Sequence, residues 1–368
     1  MDKKNKEFRL LVAAGGTGGH LFPAMAVVEE LEKLLGNNFK PFFAGTKHRI
    51  EGRIIPQKGY DFMAMDVHGF TKLLSLNTLT LPFKIYKTIH QTRNYIKDNN
   101  IDAVLCTGAY ISYAPGIAAY KENKPLFLME SNVNPGKAIN QLATKATKIF
   151  TSFKESKSYF ADTLENKLFY SGNPVRNAIL NSIDKIEAKK KLGFNPENRL
   201  VFIFGGSLGA NAINFAVENN LQKLEKLPFS FLWQTGSNYK FTKKLPSNFQ
   251  ITEFIDDMET AYSAADLVVS RSGATTVAEL TVCGMPSILV PLPSASNNEQ
   301  KHNAVIMEKN HCSQMIPNDE LNAKLFPSIL DILQNPEKLE LMSKNAKKMA
   351  KPNAGNLVAN EIIKYMKI

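Results

Sequence analysis

The sequence contains little that would cross-link the chain or carry it through a membrane. Its cysteines are only three, Cys106, Cys283 and Cys312, and no Cys-x-x-Cys pair occurs. Because three cysteines cannot all pair with one another, this usage favours a reducing compartment. No apolar run approaches the roughly 18 residues of a membrane span, and the first residues lack a signal-peptide layout because their apolar run ends in glycines. We therefore expect a cytoplasmic protein that touches a membrane without crossing it.

Patterns for bound metals and cofactors are missing as well. The six histidines show no paired spacing, and no Asp-x-Asp pair for Mg²⁺ or Mn²⁺ occurs. The glycine-rich turn at Gly15 lacks the third glycine of a dinucleotide fingerprint, since Leu21 stands there, and no Gly-Lys-Ser/Thr follows it as in a Walker A loop. We therefore expect no metal and no organic cofactor, and a nicotinamide oxidoreductase is poorly supported.

Positive charge, in contrast, is abundant. The formal net charge is +11 and the pI is about 9.3. This balance suits an anionic partner, namely nucleic acid, a phosphorylated substrate or an acidic membrane leaflet, although a solvated lysine-rich surface gives the same value. Hydrophobic residues make up 44% of the 368 residues. At roughly 150 residues per domain, a chain of this length corresponds to two domains, and its hydrophobic fraction suffices for a core in each.

Two segments about half a chain apart share one pattern. FRLLVAAGGTGG begins at Phe8 and LVFIFGGSLG at Leu200, and each is an apolar run that ends in glycines and leads into an amphipathic stretch. A buried strand, a glycine turn and a helix open a doubly wound α/β domain. Further apolar runs alternate with helical patterns, which indicates parallel sheets. The strands predicted from them begin at Pro41, Ala103, Pro125, Lys148, Phe231, Asp266 and Pro286. We predict two Rossmann-like domains in tandem, with a linker near residues 171–177.

The first glycine turn, Gly15–Gly19, is followed at once by His20. Glycines at a strand-to-helix turn bring backbone N–H groups close to an anion at the helix N-terminus, whereas a tight turn alone seldom needs four of them. The helix N-terminus disfavours a cation, so it keeps the His20 imidazole neutral and able to accept a proton. His20 is thus a candidate general base, and the alternative is a structural histidine.

Phosphate-binding features recur in the second half of the chain. The turn Gly205–Gly209 fits a phosphate, with Ser207 as a hydroxyl donor, and Arg176 offers a positive charge, although a plain surface arginine would look the same. The stretch from Ser270 to Glu279, SRSGATTVAE, places small and hydroxyl residues at a helix start. Glu279 can accept both hydroxyls of a ribose, unless it is a solvent-facing residue of a core helix. Polar side chains that can read sugar hydroxyls follow at Asn298, Glu299, Gln300 and Asn303.

Residues 68–97 combine apolar and cationic side chains. The apolar ones are Phe70, Leu73, Leu74, Leu76, Leu79, Leu81, Phe83 and Ile85, and the cationic ones are Lys72, Lys84, Lys87, Arg93 and Lys97. An apolar patch with a cationic rim is typical of a protein that rests on an anionic leaflet. The alternative is an ordinary loop and helix packed on the core, and the net charge of +11 slightly favours the membrane.

Taken together, these segments resemble the MurG family, the bacterial enzymes of peptidoglycan synthesis that transfer N-acetylglucosamine from UDP to undecaprenyl-diphospho-muramoylpentapeptide. The shared motifs are GGTGGHLFPA, GNPVR, GGSLGA, EFIDDM and SRSGATTVAEL, in that order over nearly the whole chain. The resemblance implies the α/β GT-B fold, two Rossmann-like doubly wound parallel-sheet domains with an interdomain cleft. It also implies an acceptor- and membrane-associating domain over residues 1–172, on which the C-terminal helix 353–368 packs, and a UDP-GlcNAc-binding domain over residues 173–352.

The same resemblance implies roles for individual residues. The Ile255 backbone would contact uracil, and Glu279 would hold the ribose. Gln300 would read the sugar, and Asn132 would reach it from the first domain. The diphosphate would be held by Ser207, Arg176 and the helix start Ala274, Thr275, Thr276, Val277 and Ala278. Thr17, Gly18 and Gly19 would face the acceptor diphosphate and the donor sugar, and the cleft would be lined by Tyr110, Glu130 and Asn214. Two sites depart from many members, namely Met129, where they have His, and Tyr113–Gly116, where they have Gly-Pro-Gly.

The reaction that the resemblance implies is an inverting transfer. The muramoyl 4-hydroxyl attacks the anomeric carbon of UDP-GlcNAc, His20 or alternatively Glu130 takes the proton, and helix N-termini with Arg176 stabilise the departing diphosphate. The expected partners are the UDP-GlcNAc donor, the lipid-linked acceptor and the anionic cytoplasmic face of the cell membrane, without nucleic acid. The alternatives are a UDP-GlcNAc 2-epimerase of the same fold and a non-catalytic sugar-nucleotide sensor, which would not need His20.

Overall fold

The computed structural model describes residues 7–66, 81–181, 183–206 and 208–368. Its contacts divide the chain into two units, Met1–Pro174 with Asn353–Ile368, and Val175–Pro352. The predicted phosphate contact of Ser207 lies outside the described residues. So does most of the predicted apolar patch, from Phe70 to Leu79.

Strands and helices alternate along most of the chain, as the sequence pattern predicts. The strands of the described residues are β1 (Phe8–Ala13), β2 (Phe39–Gly45), β3 (Asp61–Ala64), β4 (Ala103–Cys106), β5 (Leu126–Glu130), β6 (Lys148–Thr151), β7 (Leu168–Tyr170), β8 (Arg199–Phe204), β9 (Phe229–Gln234), β10 (Phe249–Thr252), β11 (Leu267–Ser270), β12 (Ser287–Leu289) and β13 (Ser313–Met315). The α-helices of the same residues are α1 (Gly18–Leu35), α2 (Ile50–Gln57), α3 (Leu81–Asp98), α4 (Tyr113–Lys121), α5 (Lys137–Leu142), α6 (Asn177–Leu180), α7 (Lys185–Lys191), α8 (Asn211–Leu224), α9 (Met258–Ala264), α10 (Ala274–Cys283), α11 (Glu299–Lys309), α12 (Leu321–Gln334), α13 (Pro336–Met349) and α14 (Ala354–Met366). Short 3-10 turns are Gly36–Asn38, Tyr110–Ser112, Ala143–Lys145, Lys154–Tyr159, Asp162–Lys167 and Ser296–Asn298.

The described strands of the first unit form a parallel seven-stranded sheet in the order β3-β2-β1-β4-β5-β6-β7. Ala13, the last residue of β1, lies between Ala44 of β2 and Cys106 of β4. The strand order reverses between β1 and β4. In doubly wound sheets, ligands bind beyond the carboxyl ends of the strands at such a switch point, so the turns after β1 and β4 are where a site is expected.

Strand β1 is continuous and apolar because both of its faces are covered. Leu10 and Val12 pack into one core with α1 and α14, while Leu11 and Ala13 belong to the core on the opposite face. Helix α14, at the end of the chain, lies in this unit, where Tyr365 packs edge-on against Phe127 at 5.7 Å. Burial on both faces is the physical reason for the unbroken apolar run.

The second unit repeats the arrangement. Its described strands form a parallel six-stranded sheet in the order β10-β9-β8-β11-β12-β13, which reverses between β8 and β11. The turns at this switch point follow β8, at Gly205 and Gly206, and β11, at Arg271–Gly273. The prediction of two doubly wound parallel-sheet domains is confirmed. Within the described ranges, none of the helices is long and apolar enough to span a bilayer.

Candidate functional site

In the first unit, the turn after β1 brings the start of α1 to the carboxyl edge of the sheet. Gly16 has a φ of +81°, a conformation that favours glycine. Thr17 is the N-cap of α1 in an extended conformation, its side chain makes no capping hydrogen bond, and the first turn carries no acidic residue. The positive end of the helix dipole at Gly18 and Gly19 therefore lacks a compensating carboxylate from α1, which suits an anion.

His20, in the first turn of α1, is held by the loop after β4. Its Nδ1 lies 2.7 Å from the carbonyl oxygen of Thr107. Since a carbonyl oxygen only accepts, Nδ1 carries the hydrogen, and Nε2 keeps its lone pair. Burial lowers the pKa of His20 more than the bond to Thr107 raises it, so the ring is neutral at pH 7. Gly108 leaves room for this ring, because a Cβ there would lie 3.3 Å from His20 Cε1.

Tyr110 follows a residue with a rare backbone conformation. Ala109 has a φ of +54° and a ψ of 175°, which residues other than glycine seldom adopt. Tyr110 then opens the 3-10 turn Tyr110–Ser112. A Cβ at Gly16 would lie 3.9 Å from both Ala109 Cβ and Tyr110 Cε1, so the turns after β1 and β4 are direct neighbours.

Glu130 ends β5 with its carboxylate bonded to the following loop, and it is only 4% exposed. Its Oε1 accepts the backbone N–H of Asn132 at 2.8 Å, and its Oε2 accepts that of Gly136 at 2.9 Å. Gly136 is the N-cap of α5. Asn132 is buried, and its carbonyl oxygen accepts the hydroxyl of Ser156. Glu130 thus holds the loop that carries Asn132.

Closely packed backbone marks the turn after β8 in the second unit. A Cβ at Gly205 would lie 2.2 Å from the backbone nitrogen of Ala210, and one at Gly209 would lie 2.0 Å from the carbonyl oxygen of Thr235. Leu208, in the same turn, is 70% exposed. Both glycines are therefore required by the turn itself, whatever ligand it holds.

Gln234 links this turn to the segment predicted to contact uracil. It is 2% exposed, and its Nε2 donates to the carbonyl oxygen of Gly206 at 3.0 Å. Its Oε1 accepts the backbone N–H of Ile255, also at 3.0 Å. The side chain therefore fixes the distance between the β8 turn and Ile255.

Asn214, which the resemblance places in the lining of the cleft, lies inside the second unit with 1% exposure. Its Nδ2 donates to the carbonyl oxygen of Thr235 at 2.9 Å, and its Oδ1 accepts Trp233 Nε1–H at 3.0 Å. These bonds join α8 to the end of β9. Asn214 therefore stabilises the loop that follows β9 from the interior of the unit.

Glu279, on α10, is 4% exposed, so it is not the solvent-facing residue that the sequence left as an alternative. Its Oε1 accepts Arg176 Nη2–H at 2.9 Å and its Oε2 accepts the Tyr262 hydroxyl at 3.0 Å. Burial and the charge of Glu279 hold the pKa of Tyr262 well above its usual value, so the phenol stays protonated and donates. Arg176 and Glu279, for which the sequence predicts different ligand groups, are thus in direct contact.

Helix α10 starts without a side-chain cap. Its N-cap is Gly273, its first turn has no acidic residue, and a Cβ at Gly273 would meet nothing within 4 Å. Ser272 Oγ donates to the carbonyl oxygen of Gln300 at 2.7 Å, while Asn303 Nδ2 donates to that of Ser272 at 3.1 Å. Gln300 Oε1 accepts the backbone N–H of Leu292 at 3.0 Å. The helix start is formed by Ala274, Thr275, Thr276, Val277 and Ala278.

Several residues of these networks were not predicted from the sequence, among them Thr107, Gln234 and Tyr262. None lies in a glycine-rich turn, and a single Thr, Gln or Tyr carries no pattern by itself, so only their contacts identify them. Across the part of the chain that the structure describes, no group of three or more His, Cys, Asp or Glu side chains is placed to hold a metal ion.

The fold and the two sites define a class of protein. Each unit presents an uncapped helix N-terminus at the switch point of a doubly wound sheet, as expected for binding phosphate groups. Family comparison matches residues 10–151 to the glycosyltransferase family 28 N-terminal domain and residues 200–358 to the family 28 C-terminal domain. The class is that of glycosyltransferases with the GT-B fold that use a UDP-sugar.

Individual relatives narrow this class. The UDP-N-acetylglucosamine–N-acetylmuramyl-(pentapeptide) pyrophosphoryl-undecaprenol N-acetylglucosamine transferases of Christiangramia forsetii and Lactobacillus gasseri are 32% and 36% identical to this chain. They align over 97% and 95% of it, and over 98% and 97% of their own lengths. The crystal structure of Acinetobacter baumannii MurG is similar with a TM-score of 0.75 at 27% identity, covering 97% of this chain and 99% of its own. The chain belongs to the MurG family within glycosyltransferase family 28, as the motifs predicted.

Proposed function

We propose that this protein transfers N-acetylglucosamine from UDP-GlcNAc to the 4-hydroxyl of undecaprenyl-diphospho-N-acetylmuramoyl-pentapeptide, with inversion, in peptidoglycan synthesis. The observation that carries the chemistry is His20, a neutral imidazole anchored through Nδ1 on Thr107 beside an uncapped helix N-terminus. The substrates are taken from the names of the relatives, with which this chain aligns over almost its full length.

The donor binds to the second unit in this proposal. The N-terminus of α10 and the guanidinium of Arg176 hold the diphosphate, because both are positive. A carboxylate has about four acceptor positions, so Glu279 can accept ribose hydroxyls in addition to the bonds from Arg176 and Tyr262. Ile255 contacts the uracil, and Gln300 reads the sugar.

The acceptor binds to the first unit, with its diphosphate at the start of α1 around Thr17, Gly18 and Gly19. His20 Nε2 takes the proton of the 4-hydroxyl as the hydroxyl oxygen bonds to the anomeric carbon. The bond from this carbon to the UDP oxygen breaks, and its electron pair leaves with the diphosphate. Both oxygens of Glu130 already accept backbone N–H groups, which favours His20 as the base and gives Glu130 the role of holding the loop.

The protein associates peripherally with the anionic cytoplasmic face of the membrane through α3, the described part of the patch in residues 68–97. Phe83 is 72% exposed and Tyr86 is 65% exposed. Lys87, beside Tyr86 on the same helix, is exposed as well. Aromatic rings next to lysines at a helix surface suit the headgroup region of an anionic leaflet.

The test is incubation with UDP-GlcNAc labelled in the sugar and the lipid-linked muramoylpentapeptide. We expect label in the lipid phase, only when the acceptor is present, and its loss in His20→Gln. A UDP-GlcNAc 2-epimerase would instead convert the donor to UDP-N-acetylmannosamine without any acceptor, and a sensor would bind the donor and leave it intact. Either result with the wild-type protein would overturn the proposal.

A further inference from the structure

Glu51 is a buried carboxylate of the first unit for which the proposed reaction has no role. It lies in the first turn of α2 and is 0% exposed. Its Oε2 accepts the backbone N–H of Gly16 at 2.9 Å. Its Oε1 accepts the backbone N–H of Thr46 at 3.0 Å and the Thr46 hydroxyl at 2.8 Å. One side chain therefore connects the turn after β1, the turn after β2 and the start of α2.

The glycines around this carboxylate leave room for it. A Cβ at Gly15 would lie 2.3 Å from Glu51 Cδ, and a Cβ at Gly45 would lie 2.5 Å from Glu51 Cγ. Gly45 ends β2, which pairs with β1 up to Ala13, two residues before Gly15. From the sequence alone, the glycine at position 15 is explained by the close approach of a ligand. In the structure, the side chain of Glu51 occupies the space that a Cβ at Gly15 would need.

We propose that Glu51 is a positioning residue for the reaction: its carboxylate sets the orientation of the Gly15–Gly16 peptide and thereby the place of the α1 N-terminus and of His20. Because the N–H of Gly16 is bonded to Glu51, it is not available to an anion, and its role is to hold the turn that leads into α1. The His20 ring is held from the other side by Thr107. The turns after two neighbouring strands therefore determine together where the base stands. The inference rests on the proposed function for the identity of the reaction.

The chemistry at this position requires a carboxylate. Only a carboxylate accepts through both of its oxygens, whereas glutamine of the same size presents an NH₂ group to one of the two turns. In Glu51→Gln, one backbone N–H therefore meets a donor instead of an acceptor, and the turn must shift. A displacement of about 1 Å at a catalytic group can lower the rate about 100-fold. We expect Glu51→Gln to lower kcat about 10- to 100-fold.

The affinity for UDP separates positioning from a general loss of structure. The proposed UDP site lies on the second unit, so its Kd should stay within about twofold of wild type in Glu51→Gln. The matched control is Thr46→Val, which removes the hydroxyl donor to the same carboxylate and keeps the two backbone bonds. Its kcat should stay within about threefold of wild type.

The measurements are the kcat and KM for both substrates, the Kd of UDP by calorimetry, and the melting temperature, on the full chain. If Glu51→Gln does not fold, Glu51→Asp is measured instead; it keeps the charge but is one methylene too short to reach both turns, and the same loss of kcat is expected. A kcat near wild type in either variant would overturn the inference. So would parallel losses of kcat and UDP binding in Glu51→Gln and Thr46→Val, which would make Glu51 merely structural. A wild-type protein without transfer activity would overturn the proposed function instead.

Discussion

At the scale of single residues, the catalytic proposal depends on the position of one hydrogen atom. The Nδ1–H of His20 donates to the Thr107 carbonyl oxygen, so the nitrogen that can take a proton is Nε2. Because burial lowers the pKa of His20 below 6.5, the ring stays unprotonated at neutral pH. The two contacts that matter, with Thr107 and Gly108, come from the loop after β4 and lie far from His20 in sequence.

His20→Gln is expected to lower kcat by ~10²–10⁴-fold, the usual contribution of a general base, and to leave the Kd of UDP nearly unchanged. The wild-type kcat should fall only as the pH drops below 6.5, where the imidazole with its lowered pKa takes up a proton. This acid limb should be absent from the variant. Steady-state kinetics over pH and calorimetry with UDP provide the measurements. A glutamine variant that retains most of its activity would assign the base to another residue, such as Glu130.

Glu279→Ala should weaken UDP binding by about tenfold or more, since the hydrogen bonds that a carboxylate accepts from ribose hydroxyls are worth ~1.5–3 kcal/mol. The matched control is Tyr262→Phe. It removes the hydroxyl that Glu279 Oε2 accepts but keeps the carboxylate, and we expect a loss of less than about threefold. Calorimetry with UDP, without added metal, measures both. Binding of NADH in place of UDP by the wild-type protein would exclude the donor site proposed for α10.

At the scale of elements, α1 and α10 begin in the same way, each at the switch point of its own sheet. Neither has a side-chain cap, although the N-cap of α1 is Thr17, a residue type that often caps, and neither has an acidic residue in its first turn. The first N–H groups of a helix have no partner within the helix. Since neither N-cap residue caps its helix through a side chain and neither first turn is acidic, these two helix ends are suited to bind diphosphates.

Gly273→Asp tests this interpretation for α10. The φ of Gly273 is −62° and its Cβ position is open, so aspartate fits without strain. Its carboxylate should cap the helix and stabilise the protein by a few tenths of a kcal/mol relative to glycine. It should also lower UDP affinity at least about tenfold, because it occupies the N–H groups and repels the diphosphate. Gly273→Ala, the uncharged control, should bind UDP nearly as wild type. Unchanged affinity in the aspartate variant would show that the diphosphate lies elsewhere.

For α3, replacement of both Phe83 and Tyr86 by Asp should reduce sedimentation with vesicles that contain anionic lipid. Both rings are exposed, so the fold should tolerate the change and UDP should still bind. High salt should release part of the wild-type protein, because screening removes the electrostatic share of the binding. Tyr120→Asp, at an exposed tyrosine of α4, is the control. Equal sedimentation of the double variant and the wild type would show that these two rings of α3 do not contribute to membrane binding.

At the scale of the whole molecule, the charge of the departing diphosphate is balanced by the protein itself in the proposed reaction. The sequence has no Asp-x-Asp pair, and the positive groups that we propose for the donor site are Arg176 and the N-terminus of α10. Transfer should therefore remain within about twofold of its initial rate after dialysis against EDTA. A strict requirement for Mg²⁺ or Mn²⁺, restored by adding the ion back, would contradict this account of the leaving group.

The strands that the sequence analysis missed share one place in the fold. They are β3, β7, β10 and β13, and each is an edge strand of its sheet. An edge strand pairs on one side only, and these four are three or four residues long. Short, partly exposed strands carry no continuous apolar run, so the pattern that identifies the central strands cannot detect them.

The sequence by itself determined the two doubly wound units, the glycine turns at their switch points and the helix starts beside them, because each of these is encoded within a few neighbouring residues. Only the tertiary structure decided which polar group meets which. Gly16 and Glu51 are 35 residues apart, His20 and Thr107 are 87 apart, and Arg176 and Glu279 are 103 apart. Local periodicity carries no information about such pairs. Their contacts exist only after the strands have assembled in an order that differs from their order along the chain.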